Sequence, residues 1–294
     1  MTTMAGKVVL ITGATNGIGR VAALELARAG ATVALAGRDA QRTETTVAQI
    51  RHASGNEAVA GLLADLSLLS GVRQLAAAFQ ERYERLDVLL NNAGAFFPQR
   101  EETAEGLERT FALNHLSYFL LTNLLQEWLL RSAPSRVINV SSSAHRQAGA
   151  FDFDNIDGKK SWGVGGSTAY GLSKLANILF TRELARRLAE TGVTANAVHP
   201  GVVNTGLWQH NGLLWRFTRL LAPLLMRTPE KGAETLVWLA TAPELAHESG
   251  GYYADRQPGR LSPGAQDDAA ALRLWQLSER LCGLTEASTQ PKIP

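Results

Sequence analysis

Near the start of this chain a strand, a glycine turn and a helix follow one another without a break. That order constrains the fold more than any other feature. Lys7-Val8-Val9-Leu10-Ile11 is a short β-rich apolar run, Thr12-Gly13-Ala14-Thr15-Asn16-Gly17-Ile18-Gly19 follows it, and Arg20 to Ala29 carries a helical pattern. Glycines allow a tight turn and a close backbone approach, while the free N–H groups and positive dipole end of the next helix attract an anion such as a pyrophosphate. The spacing is G-x-x-x-G-x-G, which differs from the more widespread G-x-G-x-x-G dinucleotide fingerprint.

The same rhythm continues. Thr32 to Leu35 reads as a strand, Gln41 to His52 as a polar helix, Val88 to Leu90 as a strand and Phe111 to Leu130 as a broad helix. Strand Arg136 to Val140, a helix from about Tyr170 to Glu190 and strand Val193 to Val198 complete it. Gly30, Gly192 and Pro200 punctuate these elements. Repeated βαβ units predict an α/β fold: one Rossmann-type doubly wound parallel sheet with helices on both faces. No linker or repeat divides the sequence, so residues 1–294 read as one domain, with a dinucleotide-binding half at about 7–140 and a catalytic and substrate half at about 141–285. Two segments fall outside the rhythm, Ala144 to Thr168 and Gly206 to Pro229, and both are candidate substrate walls.

Composition excludes several other classes. With 45% hydrophobic and 19% charged residues the chain can bury a core and is not a disordered one. Its 29 basic and 27 acidic residues are interspersed, which gives no footprint for nucleic acid. Cys282 is the single cysteine, and no His/Cys/Asp set has metal-ligand spacing, so neither a disulfide framework nor a metal is expected. A cytoplasmic location is the expectation, since the first strand leaves no room for a secretory or transit segment. No apolar run approaches the ~20 residues of a spanning helix. The greasiest stretch, Leu213 to Met226, contains Arg216 and Arg219, which leave open an interfacial helix touching a membrane surface.

Four motifs then stand in register: the glycine turn, Asn91-Asn92-Ala93-Gly94, Tyr170-Gly171-Leu172-Ser173-Lys174 and Pro200-Gly201-Val202-Val203-Asn204-Thr205. With these the chain resembles the short-chain dehydrogenase/reductase family from Lys7 to about Gly283. Within it the chain is most similar to the retinol dehydrogenase group, through Asn139 to His145, Tyr170 to Asn177, Leu179 to Leu184 and Val198 to Val203. It is expected to differ from that group's membrane-bound members in lacking an N-terminal hydrophobic anchor.

On a helix Tyr170 and Lys174 project from one face, one turn apart. An ammonium within a few ångströms would stabilise a phenolate and lower the tyrosine pKa. Tyr-x-x-x-Lys alone is common on amphipathic helices; the accompanying motifs give it meaning. The resemblance implies that Tyr170 exchanges a proton with the substrate oxygen while Lys174 stands beside it and holds the nicotinamide ribose. It selects Ser142 from the row Ser141-Ser142-Ser143 as the hydroxyl on that oxygen, and Asn114 as a fourth member that holds a water linking Lys174 to solvent. His115 and His145 are assigned no role.

The implied NADP(H) contacts are Gly13, Thr15, Asn16, Gly17, Ile18, Gly19, Arg38, Asp65, Leu66, Asn91, Ala93, Gly94, Tyr170, Lys174, Pro200, Gly201, Val203 and Thr205. Asp65 would cap the adenine, and Leu66 would pack on its ring. The phosphate-bearing cofactor is expected because Gly37 stands where NAD enzymes place an acid, and Arg38 follows it. Asp39 reads as a helix N-cap. Trp208, Leu213, Trp215 and Phe217 make Leu207 to Met226 a lid, core or interface, and suit a lipophilic alcohol or carbonyl substrate, retinal-like, fatty or steroid-like. A homo-oligomer is left open. The alternative from another class is a catalytically idle NADP(H)-binding regulator or scaffold.

Overall fold

The computed structural model describes residues 3–201, 203 and 227–284. Thr205 and the apolar stretch Leu207 to Met226 lie outside the described residues, and so does most of the second candidate substrate wall. Among the described residues the strands are β1 (Val8–Thr12), β2 (Thr32–Gly37), β3 (Val59–Leu63), β4 (Val88–Asn91), β5 (Ser135–Val140), β6 (Val193–His199), β7 (Tyr252–Ala254) and β8 (Gln257–Pro258). They form one sheet in the order β3-β2-β1-β4-β5-β6-β7-β8. All pairs through β7 are parallel, and β8 returns antiparallel to β7 at the edge.

Among the helices, α1 (Gly17–Arg28), α2 (Ala40–Ser54) and α3 (Leu69–Arg82) belong to the first half. The broad helix expected over Phe111 to Leu130 is broken into α4 (Arg109–Phe111), a π turn (Ala112–Leu116), α5 (Ser117–Leu124) and α6 (Gln126–Arg131). Then come α7 (Ser167–Arg187), α8 (Pro229–Thr241) and α9 (Asp268–Leu281). α7 stops short of Glu190, which adopts a φ of 64° outside the helix.

Every residue of β1 is buried, because the sheet is covered on both faces. Val8 and Leu10 pack with Leu75, Phe119, Leu175 and Trp275, on the side of α3, α5, α7 and α9. Val9 and Ile11 pack with Val21, Leu26, Leu236 and Leu239, on the side of α1 and α8. The alternation along one strand therefore feeds two separate cores, as a doubly wound sheet requires. From β1 the chain builds outward through β2 and β3, then crosses back to β4 on the other side. That reversal opens a crevice beyond the carboxyl ends of β1 and β4, the position where open α/β sheets take ligands.

Candidate active site

The crevice encloses a cavity of about 790 Å³ that runs from Arg38 past the glycine turn to Tyr170 and His199. Its floor needs glycine. A Cβ on Gly13 would stand 2.7 Å from the Ala93 Cα, and one on Gly19 would stand 2.4 Å from the Asn92 Nδ2 and 2.6 Å from the Gly13 carbonyl oxygen. Gly13 and Gly17 also have positive φ, at 65° and 52°. α1 begins at once after this turn, and the Asn16 side chain makes no cap bond to its first turn. Bare backbone and a helix N-terminus suit a pyrophosphate.

Asn92 locks the turn from the neighbouring strand. Its Nδ2 donates to the carbonyl oxygens of Thr12 at 2.8 Å and Gly13 at 3.0 Å, while the Thr12 Oγ1 accepts from the backbone N–H groups of Asn92 and Ala93. The motif points to Asn91 as the cofactor contact, but the structure turns that side chain away from the crevice. It is wholly buried and donates to Thr122 at 3.1 Å and Asn139 at 2.9 Å. Successive residues at a strand end face opposite ways, so a motif that names both asparagines does not say which one reaches the cavity.

At the adenine end, Gly37 closes β2 and Asp39 caps α2 by accepting from the Arg42 N–H at 2.8 Å. A Cβ on Gly37 would come within 2.1 Å of the Thr43 Oγ1 and 2.7 Å of the Thr15 Cγ2. Arg38 is largely exposed, with its guanidinium 4.0 Å from the Asp65 carboxylate. Asp65 is itself held by the N–H and hydroxyl of Ser67, at 3.0 and 2.7 Å. Thr15, Asn16, Ile18, Leu66, Ala93, Gly94, Pro200, Gly201 and Val203 all border the cavity, as does Arg42, which sequence reading missed.

The reactive end is built on α7 and the end of β5. Tyr170 and Ser142 both border this end of the cavity, and Ser142 opens a 3-10 turn by accepting from the Ala144 N–H at 3.2 Å. Lys174 lies one turn along α7, 3% exposed, with its ammonium 5.6 Å from the centre of the Tyr170 ring and donating to the Val140 carbonyl at 3.0 Å. Burial pushes Tyr170 up to about 12, against a smaller lowering by the nearby Ser142 hydroxyl, and burial pushes Lys174 down to about 7. The Tyr170 shift runs opposite to the sequence expectation: removing a phenolate from water dominates, while the Lys174 ammonium is spent on the Val140 carbonyl.

Asn114 sits in the π turn and does not border the cavity; it is wholly buried behind Gly94 and Lys174. Its Oδ1 accepts from the Ala95 N–H at 2.9 Å, and its Nδ2 donates to the Ala95 carbonyl at 2.9 Å and the Ser173 hydroxyl at 3.1 Å. Both Nδ2 hydrogens are committed, and the Asn114 main-chain carbonyl accepts from the Asn177 Nδ2 at 2.9 Å. The substrate side carries Phe96, 5.3 Å from Tyr170 between ring centres, with Phe97, Leu113, Gln147 and Val164. Val164 is 95% exposed and comes from the first candidate substrate wall. No motif marked the two phenylalanines. Among the described residues no group of three or more His, Cys, Asp or Glu could hold a metal, and no helix is long and apolar enough to cross a membrane.

The profile of the short chain dehydrogenase family matches residues 7–153 and 157–212. Human retinol dehydrogenase 13 is 44% identical over 98% of this chain and 88% of its own length. Among solved structures, the Pseudomonas aeruginosa RhlG/NADP active-site complex superimposes with a TM-score of 0.69 at 30% identity, covering 86% of this chain and 95% of that one. A short chain dehydrogenase from Burkholderia cenocepacia J2315 in complex with NADP gives 0.68 at 26% identity, over 85% and 96%.

Proposed function

The chain belongs to the short-chain dehydrogenase family as a retinol-dehydrogenase-like oxidoreductase acting on alcohols, and from this we propose that it interconverts a lipophilic alcohol and its aldehyde or ketone with NADP(H), using Tyr170 as general acid and base. The observation that carries the proposal is that Tyr170, Ser142 and Lys174 line one end of the same glycine-floored crevice, with the Lys174 ammonium 5.6 Å from the centre of the Tyr170 ring.

The cofactor supplies or accepts a hydride at the substrate carbon. Gly13, Gly17 and Gly19 would hold its pyrophosphate, Asp65 and Leu66 its adenine, Arg38 its 2′-phosphate, and Lys174 its ribose near the reacting end. The exclusion of any side chain at Gly37 supports the phosphate-bearing form, since an acid at that position is what reads a free ribose hydroxyl. Both named NADP complexes share the fold.

With its pKa pushed up to about 12, Tyr170 is protonated at neutral pH and donates to the carbonyl oxygen in the reductive direction. Ser142 donates a second hydrogen bond to the same oxygen and steadies its developing charge. Lys174, brought down to about 7, holds or releases a proton near neutrality and offsets the charge left on the phenolate. Phe96, Phe97, Leu113 and Val164 favour an apolar substrate body. NADPH consumption with a series of aldehydes and ketones tests the reading. Turnover that rises with apolar size supports it, and tight NADPH binding without any turnover would make the chain a cofactor-sensing regulator instead.

A further inference from the structure

Behind Lys174 lies a buried polar chain that the proposed reaction does not use. Asn177, one turn further along α7 than Lys174, is wholly buried, and its Nδ2 donates to two main-chain carbonyls: Asn114 in the π turn at 2.9 Å and Val140 at the end of β5 at 3.1 Å. Val140 is the carbonyl that also accepts from the Lys174 ammonium at 3.0 Å. A carbonyl oxygen has two lone pairs, so Asn177 and Lys174 share this acceptor between them.

These contacts fix the amide orientation and, through it, a histidine tautomer. Carbonyls only accept, so the nitrogen of Asn177 must face them and its Oδ1 must face His115, whose Nδ1 is 3.4 Å away. Nδ1 therefore carries the proton. The His115 Nε2 is left as an acceptor, and the Ser278 hydroxyl, at 2.9 Å on α9, donates to it. Phe111, Phe119 and Phe180 surround the ring, with centres 4.9, 6.4 and 6.1 Å from it. Burial holds His115 down at about 3, so it remains neutral and keeps this tautomer across the working range. The groups facing it are Asn177, Ser278 and these aromatic rings; none carries a charge.

We propose that Asn177 is a positioning residue for the oxidoreductase reaction: oriented by His115 and Ser278, its amide pins the carbonyls of Asn114 and Val140 and so sets the place and protonation of Lys174. The inference rests on the reading of Tyr170 and Lys174 given above. It ties the active site to α9 through the buried hydrogen bonds of Asn177 and His115.

The test compares Asn177→Leu, which keeps the branched heavy-atom shape and removes both donors, with the pair His115→Asn and His115→Gln. Asparagine at position 115 keeps a donor near the place of Nδ1, and glutamine keeps only a group near Ser278. Two quantities are read: kcat with NADPH and an apolar aldehyde across pH, and the pH dependence of reductive methylation at Lys174, mapped by mass spectrometry. The second needs no turnover. Asn177→Leu is expected to lower kcat by at least ~10-fold, a fraction of the ~100-fold to 10,000-fold that an acid–base group itself contributes, and to move the Lys174 titration by more than ~0.5 pH unit, with a smaller loss in NADPH affinity than in kcat. His115→Asn should stay near wild type where His115→Gln follows Asn177→Leu, and this pair decides the matter if the leucine variant does not fold. An unmoved Lys174 titration in folded Asn177→Leu, or equal effects of the two His115 variants, would reduce the chain to packing and overturn the proposal. Wild-type protein that turns over no carbonyl, yet whose Lys174 titration responds to these variants, would sink the functional reading and leave the positioning role standing.

Discussion

Gly37 and Thr43 stand so close that a Cβ on the glycine would lie 2.1 Å from the threonine Oγ1, which is itself tied to the Asp39 carbonyl at 2.7 Å. The end of β2 therefore has no room for the acidic side chain that would repel a 2′-phosphate, and Arg38 is the next residue toward the crevice. NADPH should bind more tightly than NADH. Arg38→Ala should weaken NADPH by ~1.5–3 kcal/mol, the usual contribution of a charge-assisted hydrogen bond, and leave NADH nearly untouched. Calorimetric titration of both cofactors into both proteins checks this; equal losses would show that Arg38 does not read the phosphate.

Asn92 holds two carbonyls of the glycine turn through one nitrogen. Asn92→Ala leaves both without that partner and should lower stability by ~1–3 kcal/mol, and NADPH affinity should fall with it because the turn loses its fixed shape. Asn91→Ala removes a group turned toward Thr122 and Asn139, so it should destabilise the fold with less effect on cofactor binding. Urea denaturation and NADPH titration of the two variants separate the roles. Greater loss of NADPH affinity in Asn91→Ala would reverse them.

The pH profile of carbonyl reduction follows from Lys174. Burial brings it down to about 7, so its ammonium is present below that pH and lost above it, while Tyr170, at about 12, stays protonated throughout. Losing the ammonium removes the charge that offsets a forming phenolate. Reductive kcat should thus hold at acidic pH and fall as pH rises through about 7. A profile level to pH ~9 would mean that Lys174 does not titrate in this range.

Much of the site is legible in the sequence because its spacing is local. Tyr170 and Lys174 share a helix face by simple periodicity, the glycine turn joins consecutive elements, and Asp39 has the place and chemistry of a cap. What escaped reading depends on register or on distant chain. Asn91 and Asn92 differ by one strand position and hence by face. The π turn at Ala112–Leu116 inserts a residue into a helix whose apolar pattern looks continuous, and this turns Asn114 inward. β7 spans only Tyr252–Ala254, too short for alternation to show, and β8 adds an antiparallel edge to a sheet expected to be parallel throughout. His115 read as an idle histidine because its partners, Asn177 and Ser278, meet it only in the folded core.

The most direct test is the rate of NADPH oxidation with an apolar aldehyde by wild-type protein and Tyr170→Phe, measured alongside NADPH binding to each. The substitution removes one hydroxyl and keeps the ring against Phe96. Binding should be unchanged while kcat falls by about 100-fold to 10,000-fold, the range expected for losing a general acid. A Tyr170→Phe enzyme that turns over within a few-fold of wild type would contradict the assignment of the proton to Tyr170.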